Sequence, residues 1–514
     1  MKEERKRSLD RRDFLKVAVA GAATAVSGTV TGGATTPESI AGNELAWMPG
    51  WQLTGRIARK ELSPVEVVAS FLRRIDRLDP LIHAYITVDY EGALEQARNA
   101  EKAIMSGARL GPLHGLPVSI KDLYDTRGLR TTQGSAAFAD TVPDRDEILV
   151  ERLRRAGAII IGKTHTPEFA TFPRTKTFLA GECRNPWNLN RITGASSGGS
   201  GAAVAAGMTA FSIGSDGGGS TRIPACFNGV FGFHPSAGRI PMRAPRSVQM
   251  ASAGPMTLHV RDAANLIQVM SGSDPRDPSA IECASPSFLE DLDKGVEGYK
   301  IAWSPDLGRI PIVDRRVVDK IEAGTKRFAE AGAHVDSPDL YFPDEAAWEV
   351  FMVLNETSMH RGSRLLELTR AQQAKLTPPT RAMLERVRTS PLPGAEDEVR
   401  ALEKRAEVQA WVDAIFARYD LICTPVLGLT APPVPDGEWQ QPYSDPYYAG
   451  HISTCYTYFA NILGLPAASV PCGFVDGLPA GMQIVGPRFA DTRVMRAAQS
   501  FARIQPWMEK HPEI

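Results

Sequence analysis

Two clusters of glycine and hydroxyl residues, Gly194–Ser200 (GASSGGS) and Ser215–Arg222 (SDGGGSTR), flank a tract of small apolar residues. A serine hydroxyl is a weak nucleophile until another group takes its proton, so two neighbouring serines can divide the work, one attacking and one relaying. Three consecutive glycines, Gly217, Gly218 and Gly219, free the backbone to turn several N–H groups, with that of Ser220, toward one point, as a developing oxyanion requires. Asp216 and Arg222 bracket this run and are expected to pin it as an ion pair. The chemistry that suits these residues is acyl transfer.

Such a serine needs a base. His114, His165 and His234 stand near loops, but no histidine falls inside either cluster. Lys121 ends the apolar run Val118-Ser119-Ile120, where burial would disfavour the ammonium and leave a neutral amine able to accept a proton. The residues alone leave lysine and histidine both open. A flexible linker does not explain the first cluster, because Gly201–Gly207 continues it in core-grade small residues and Phe211-Ser212-Ile213 then reads as a strand.

The elements that must position these groups alternate along the chain. Ser63-Pro64-Val65-Glu66 starts a helix carrying Val67, Phe71 and Ile75 on one face, and a second amphipathic helix is expected over 92–105. Turn residues 111–117 lead into the strand Val118–Ile120, and a helix over 148–155 leads through Gly157 into a strand over 158–161. Repeated from residue 60 to 300, this alternation predicts an α/β fold, a single large domain whose mixed β-sheet is covered by helices on both faces. Strand-like 421–426 and 467–471 rejoin the sheet after a helical insertion at about 341–420, where Val408, Trp411, Val412, Ile415 and Phe416 mark one apolar face. Residues 157–164, GAIIIGKT, satisfy a phosphate-loop pattern, but Ala-Ile-Ile-Ile is strand sequence where a loop is needed, and nucleotide binding is set aside.

With 58 basic and 59 acidic residues the net charge is −1, which offers no overall footprint for nucleic acid. Cys183, Cys226, Cys283, Cys423, Cys455 and Cys472 form no zinc spacing, so no metal or other cofactor is expected. The first 34 residues read as an export signal. Arg11-Arg12-Asp13-Phe14-Leu15-Lys16 precedes the soft apolar run Val17–Val30, which falls short of the ~20 residues a membrane-spanning helix needs. It resembles the twin-arginine signal, with Asp10 where Ser or Thr is usual, and implies export to the periplasm of a chain folded beforehand, whose catalytic domain is 40–514.

The blocks GPLHGLPVSIKD, GASSGGSGAAVAAG and SIGSDGGGSTRIPACFNGVFGFHPS resemble those of the amidase signature family, serine hydrolases with a Ser-cisSer-Lys triad. The resemblance extends through HTPEF (165–169), RNPWN (184–188), NILGLP (461–466) and GLPAGMQIVG (477–486). It implies Ser220 as nucleophile, Ser196 as relay on a cis peptide, Lys121 as base, and an oxyanion hole from the N–H groups of Gly217, Gly218, Gly219 and Ser220. Ser197 would support the network, as would Asp216 and Arg222. Ala195 stands where the family often has glycine, and Gly217 where it often has a bulkier residue. The implied reaction is hydrolysis of a carboxylic amide through an acyl-enzyme. The alternatives are the A-type subunit of a glutamine-dependent amidotransferase or a silent amide-binding protein. The expected partner is a small-molecule amide, with no nucleic acid and no stable membrane span; a homodimer stays open. Pocket walls in this fold come from variable segments, with Phe172, Trp348, Phe351, Met352 and Tyr456 as candidates.

Overall fold

The computed structural model describes residues 42–243, 250–281, 285–361, 364–440, 442 and 456–514. The export-signal reading of residues 1–34 lies outside them. An 11-stranded mixed sheet organises the chain. Its strands are β1 Tyr85–Val88, β2 Pro117–Lys121, β3 Ile159–Thr164, β4 Phe211–Asp216, β5 Phe231–His234, β6 Ser252–Thr257, β7 Lys300–Trp303, β8 His334–Asp336, β9 Leu421–Pro425, β10 Ala467–Val475 and β11 Leu478–Val485. In space they run β1-β3-β2-β4-β6-β5-β10-β11-β9-β7-β8. β2 is parallel to β3 and β4, and β7 to β8 and β9, while the other pairs are antiparallel.

Every residue of β2, β3 and β11 is buried, as expected where helices cover both faces and strands lose polar alternation. The Pro64–Ile82 helix starts as its sequence dictates: the Ser63 hydroxyl accepts from the backbone N–H of Val65 and Glu66, and Glu66 closes a capping box. Val67, Phe71 and Ile75 are all buried. The helix Gly198–Ala205 is buried along its whole length. A β-carbon at Gly199 would come within 2.4 Å of both the Ala84 carbonyl oxygen and the His165 nitrogen, so only glycine permits this approach.

Three long helices, Asp344–Arg361, Pro378–Thr389 and Ala395–Phe416, lie with shorter turns between β8 and β9 in the chain. Val408, Val412 and Ile415 are buried against Phe342, Val350 and Phe459, with Trp411 and Phe416 packed alongside. The GAIIIGKT segment forms β3 itself, and Lys163 is fully buried, donating to the Tyr124 carbonyl and, at 2.9 Å each, to the Thr126 and Thr131 hydroxyls. Its amine ties the loop after β2 to the sheet, with all three of its donors engaged by protein acceptors. Cys183, Cys226, Cys423 and Cys472 are buried free thiols, and Cys283 and Cys455 lie outside the described residues.

Candidate active site

β2 and β4 run side by side in parallel with Ile120 opposite Ile213, so Lys121 and Ser215-Asp216 emerge together at their carboxyl ends. Ligands in α/β sheets gather at such an edge. Ser196 and Ser197 arrive from the side as the entry to the buried Gly198–Ala205 helix, with Ser197 at its N-cap and the Ala195–Ser196 peptide bond cis. Ser220 follows the glycine run in the loop between β4 and the Arg222–Asn228 helix.

Lys121 is completely buried, and its amine sits among three hydroxyls: Ser196 Oγ at 2.6 Å, Ser215 Oγ at 2.8 Å and Ser197 Oγ at 3.0 Å. Among the described residues no carboxylate lies within ion-pair distance of it. Burial pushes the Lys121 amine well below its ordinary value of 10.5, with Asp216 opposing this only in part. The partners fit a neutral amine, which has two N–H donors and one lone pair. Ser197 Oγ donates to the Ser215 carbonyl at 3.2 Å while accepting from Ser215 N at 3.1 Å, so its proton is committed and it receives one from Lys121. Ser196 carries a proton free to point at the lysine lone pair.

Among the described residues, none of the three histidines makes a hydrogen bond to Ser196, Ser197 or Ser220. His114 Nε2 pairs with the Ala100 carbonyl, and His165 is held between the His83 carbonyl and the Thr177 hydroxyl. Both ring nitrogens of His234 lack a hydrogen-bond partner among the described residues, and burial pushes its pKa down to about 4. The amine within hydrogen-bond distance of the Ser196 hydroxyl is that of Lys121.

Asp216 and Arg222 form a fully buried ion pair, with Arg222 Nε 2.9 Å from Asp216 Oδ2 and Nη2 2.9 Å from Oδ1. The carboxylate also accepts from the backbone of Gly219 at 2.7 Å and of Thr221 at 3.2 Å. This corrects one member of the expected oxyanion set. The Gly219 N–H is spent on Asp216, because the loop folds back over the carboxylate that ends β4. The N–H groups of Gly217, Gly218 and Ser220 donate to no acceptor among the described residues and are the remaining candidates. Ser197 N donates to the Ser220 carbonyl at 3.1 Å, which joins the two clusters through the backbone.

Four further residues surround these groups: Ser215, Asn461 and Gln483 lie in stretches the sequence singles out but without a role assigned to them, and nothing in its local sequence marks Thr457. Ser215 holds the lysine amine. Asn461 accepts from Arg222 Nη2 at 2.6 Å and donates to Asp216 Oδ1 at 2.9 Å, and Gln483 accepts from Arg222 Nη1 at 2.7 Å. Thr457 donates to the Gly218 carbonyl at 2.6 Å. Among the aromatic candidates, Phe351 lies against the loop, since a β-carbon at Gly218 would come 3.0 Å from its ring, and Trp348 stacks on it with centroids 5.7 Å apart. Tyr456 belongs to the core, fully buried with its hydroxyl donating to the Pro305 carbonyl at 2.9 Å.

With this geometry in place, the comparisons decide the family. The Amidase family model matches residues 66–495. The chain belongs to the amidase signature family. It is 33% identical over 479 residues to an acylamidase of Rhodococcus erythropolis, covering 91% of this chain and 98% of that protein. It is 34% identical over 500 residues to the A-type subunit of the glutamyl-tRNA(Gln) amidotransferase of Moorella thermoacetica, covering 92% of this chain and 99% of the relative. The crystal structure of a bacterial aryl acylamidase of the amidase signature family superposes with a TM-score of 0.82 at 30% identity, covering 91% of this chain and 98% of that one. The single α/β domain with its large mixed sheet is therefore the family's fold. Among the described residues, no helix of this family member is long and apolar enough to cross a membrane, and no group of three or more His, Cys, Asp or Glu could hold a metal ion.

Proposed function

We propose that this protein hydrolyses a small carboxylic amide to acid and amine through an ester on Ser220. One observation carries the reading: a fully buried lysine amine, without a carboxylate partner among the described residues, 2.6 Å from the hydroxyl of Ser196. Ser220 Oγ attacks the amide carbonyl while its proton passes to Ser196 Oγ, and the proton of Ser196 passes to Lys121 Nζ. The carbonyl oxygen becomes an anion held by the N–H groups of Gly217, Gly218 and Ser220. Collapse breaks the C–N bond, the leaving nitrogen takes the proton back along the same path, and the acyl group remains on Ser220. Water then gives its proton to the relay, attacks the ester and releases the acid.

The acylamidase and aryl acylamidase relatives, with the Phe351–Trp348 pair beside the glycine loop, support an amide carrying an aryl or other apolar group. The test is turnover of the purified chain against a panel of anilides, primary amides and esters, with Ser220→Ala as blank. Hydrolysis lost in the blank supports the assignment; full activity in the blank removes it.

The relationship to the A-type subunits of amidotransferases favours a second reading, in which the same triad releases ammonia from glutamine inside a complex. Residues 11–16 weigh against it, because we propose that they begin a twin-arginine-type signal delivering the 40–514 catalytic domain to the periplasm, apart from tRNA-charging partners. Activity of the isolated chain on simple amides separates the two readings, and N-terminal sequencing of the exported protein tests the signal.

A further inference from the structure

The three-glycine run raises a problem that the triad does not solve. Glycine peptides rotate easily, so an oxyanion loop built from them needs something to hold its N–H groups in one direction. The structure assigns this task to Thr457, a residue from the distant C-terminal half of the chain, as a positioning residue for the oxyanion loop; the assignment rests on Ser220 being the nucleophile.

The peptide joining Gly218 to Gly219 is gripped at both ends. Its carbonyl oxygen accepts from Thr457 Oγ1 at 2.6 Å, and its N–H donates to Asp216 Oδ1 at 2.7 Å. Rotating that peptide by half a turn would break both bonds at once. With it fixed, the N–H groups on either side, those of Gly218 and Ser220, keep one orientation. Thr457 is itself locked, because its carbonyl accepts from Arg222 Nη1 at 2.9 Å, and the other Nη1 contact goes to Gln483. The approach is close enough to demand glycine: a β-carbon at Gly219, whose φ is +121°, would come 2.3 Å from Thr457 Oγ1. The hydroxyl thus holds the loop through the Gly218 carbonyl, a role distinct from the proton relay proposed for Ser196 and Lys121.

Three variants, Thr457→Val, Thr457→Ala and Thr457→Ser, test this on an anilide that the wild type turns over. Valine keeps the shape and removes the donor. It should lower kcat by about 10- to 100-fold, somewhat less than loss of a direct oxyanion donor, while KM changes by less than about threefold. Serine, which restores the hydroxyl, should return kcat to within about threefold of wild type. A trifluoromethyl ketone, which adds the serine hydroxyl to form a tetrahedral anion, should bind more weakly to the valine variant by the same factor as kcat falls. Should valine fold poorly, the alanine and serine variants give the same comparison. Thr457→Val turnover within twofold of wild type, a loss confined to KM, or unchanged ketone affinity alongside a fallen kcat would each overturn the role. Wild-type turnover by Ser220→Ala would instead remove the nucleophile assignment beneath it, whatever position 457 does.

Discussion

Lys121 Nζ lies 2.6 Å from Ser196 Oγ with the lysine side chain wholly out of water, and its other two contacts are neutral hydroxyls. Burial lowers its pKa well below 10.5, so if the unprotonated amine serves as the proposed base, the rate should fall as pH drops through that lowered value. The pH profile of kcat/KM should therefore show an acid limb that no histidine variant removes. His234→Gln that abolishes the limb would contradict this.

Activity and stability should part company at the same position. The unfolded chain binds the lysine proton more tightly than the native state does, so the buried amine penalises folding. The penalty grows as pH falls below 10.5 and is complete below the lowered value. Lys121→Met removes the penalty together with the base. It should lose at least about 1,000-fold in kcat while its thermal midpoint at neutral pH stays level or rises, a combination readable from one assay and one melting curve.

Arg222 should behave in the opposite way. Burial works against the charge of Asp216, but the Arg222 guanidinium, with His234 and Asn461, outweighs it and holds the carboxyl far below the usual range. That contribution is present above the unfolded value of about 3.8 and is lost only as pH falls further toward the depressed one. Arg222→Leu would leave the carboxylate buried and unpaired, a loss of about 3–5 kcal/mol in urea unfolding at neutral pH. A change under about 1 kcal/mol would mean that the pair matters little to stability.

Much of this is legible in the sequence. Local patterns carry the Pro64–Ile82 helix with its serine cap, the Ile148–Arg155 helix, and the strands beginning near residues 117, 159, 211, 421 and 467. The strands Phe231–His234, Ser252–Thr257 and Leu478–Val485 carry no such signal, because they contain glycine or proline and are buried throughout, which erases alternation. The site divides in the same way. Lys121, Ser196 and Ser220 stand in recognisable blocks, and so do Asn461 and Gln483, but the contacts of Thr457, Asn461 and Gln483 with Gly218 and Arg222 span 239, 239 and 261 residues of chain, distances over which no periodicity speaks. The Gly219 N–H escapes a sequence reading because a run of glycines shows freedom to turn but not which acceptor captures each donor.

Gly217 and Gly219 should answer differently to the same substitution. At Gly217 the nearest atom to an added β-carbon is Ala251 Cβ at 3.6 Å, ordinary contact, while at Gly219 both the positive φ and the Thr457 hydroxyl oppose it. Gly217→Ala should alter stability by less than about 1 kcal/mol and Gly219→Ala should cost more than about 2 kcal/mol, measured by urea unfolding. Equal effects would contradict the loop geometry.

Phe351 offers a readout of substrate class. If its ring walls the site beside Gly218, Phe351→Ala should lower kcat/KM for an anilide by about tenfold relative to acetamide, the scale expected when one aromatic contact is removed. An unchanged ratio would place the apolar group of the substrate elsewhere.

The most direct measurement is the identity of the acylated residue. The enzyme can be quenched in acid during turnover of an activated amide, digested and mapped by mass spectrometry. The acyl mass should fall on Ser220, vanish in Ser220→Ala, and accumulate slowly or not at all in Lys121→Met. An acyl group on any other residue, or steady turnover with Ser220 never modified, would contradict the proposed chemistry.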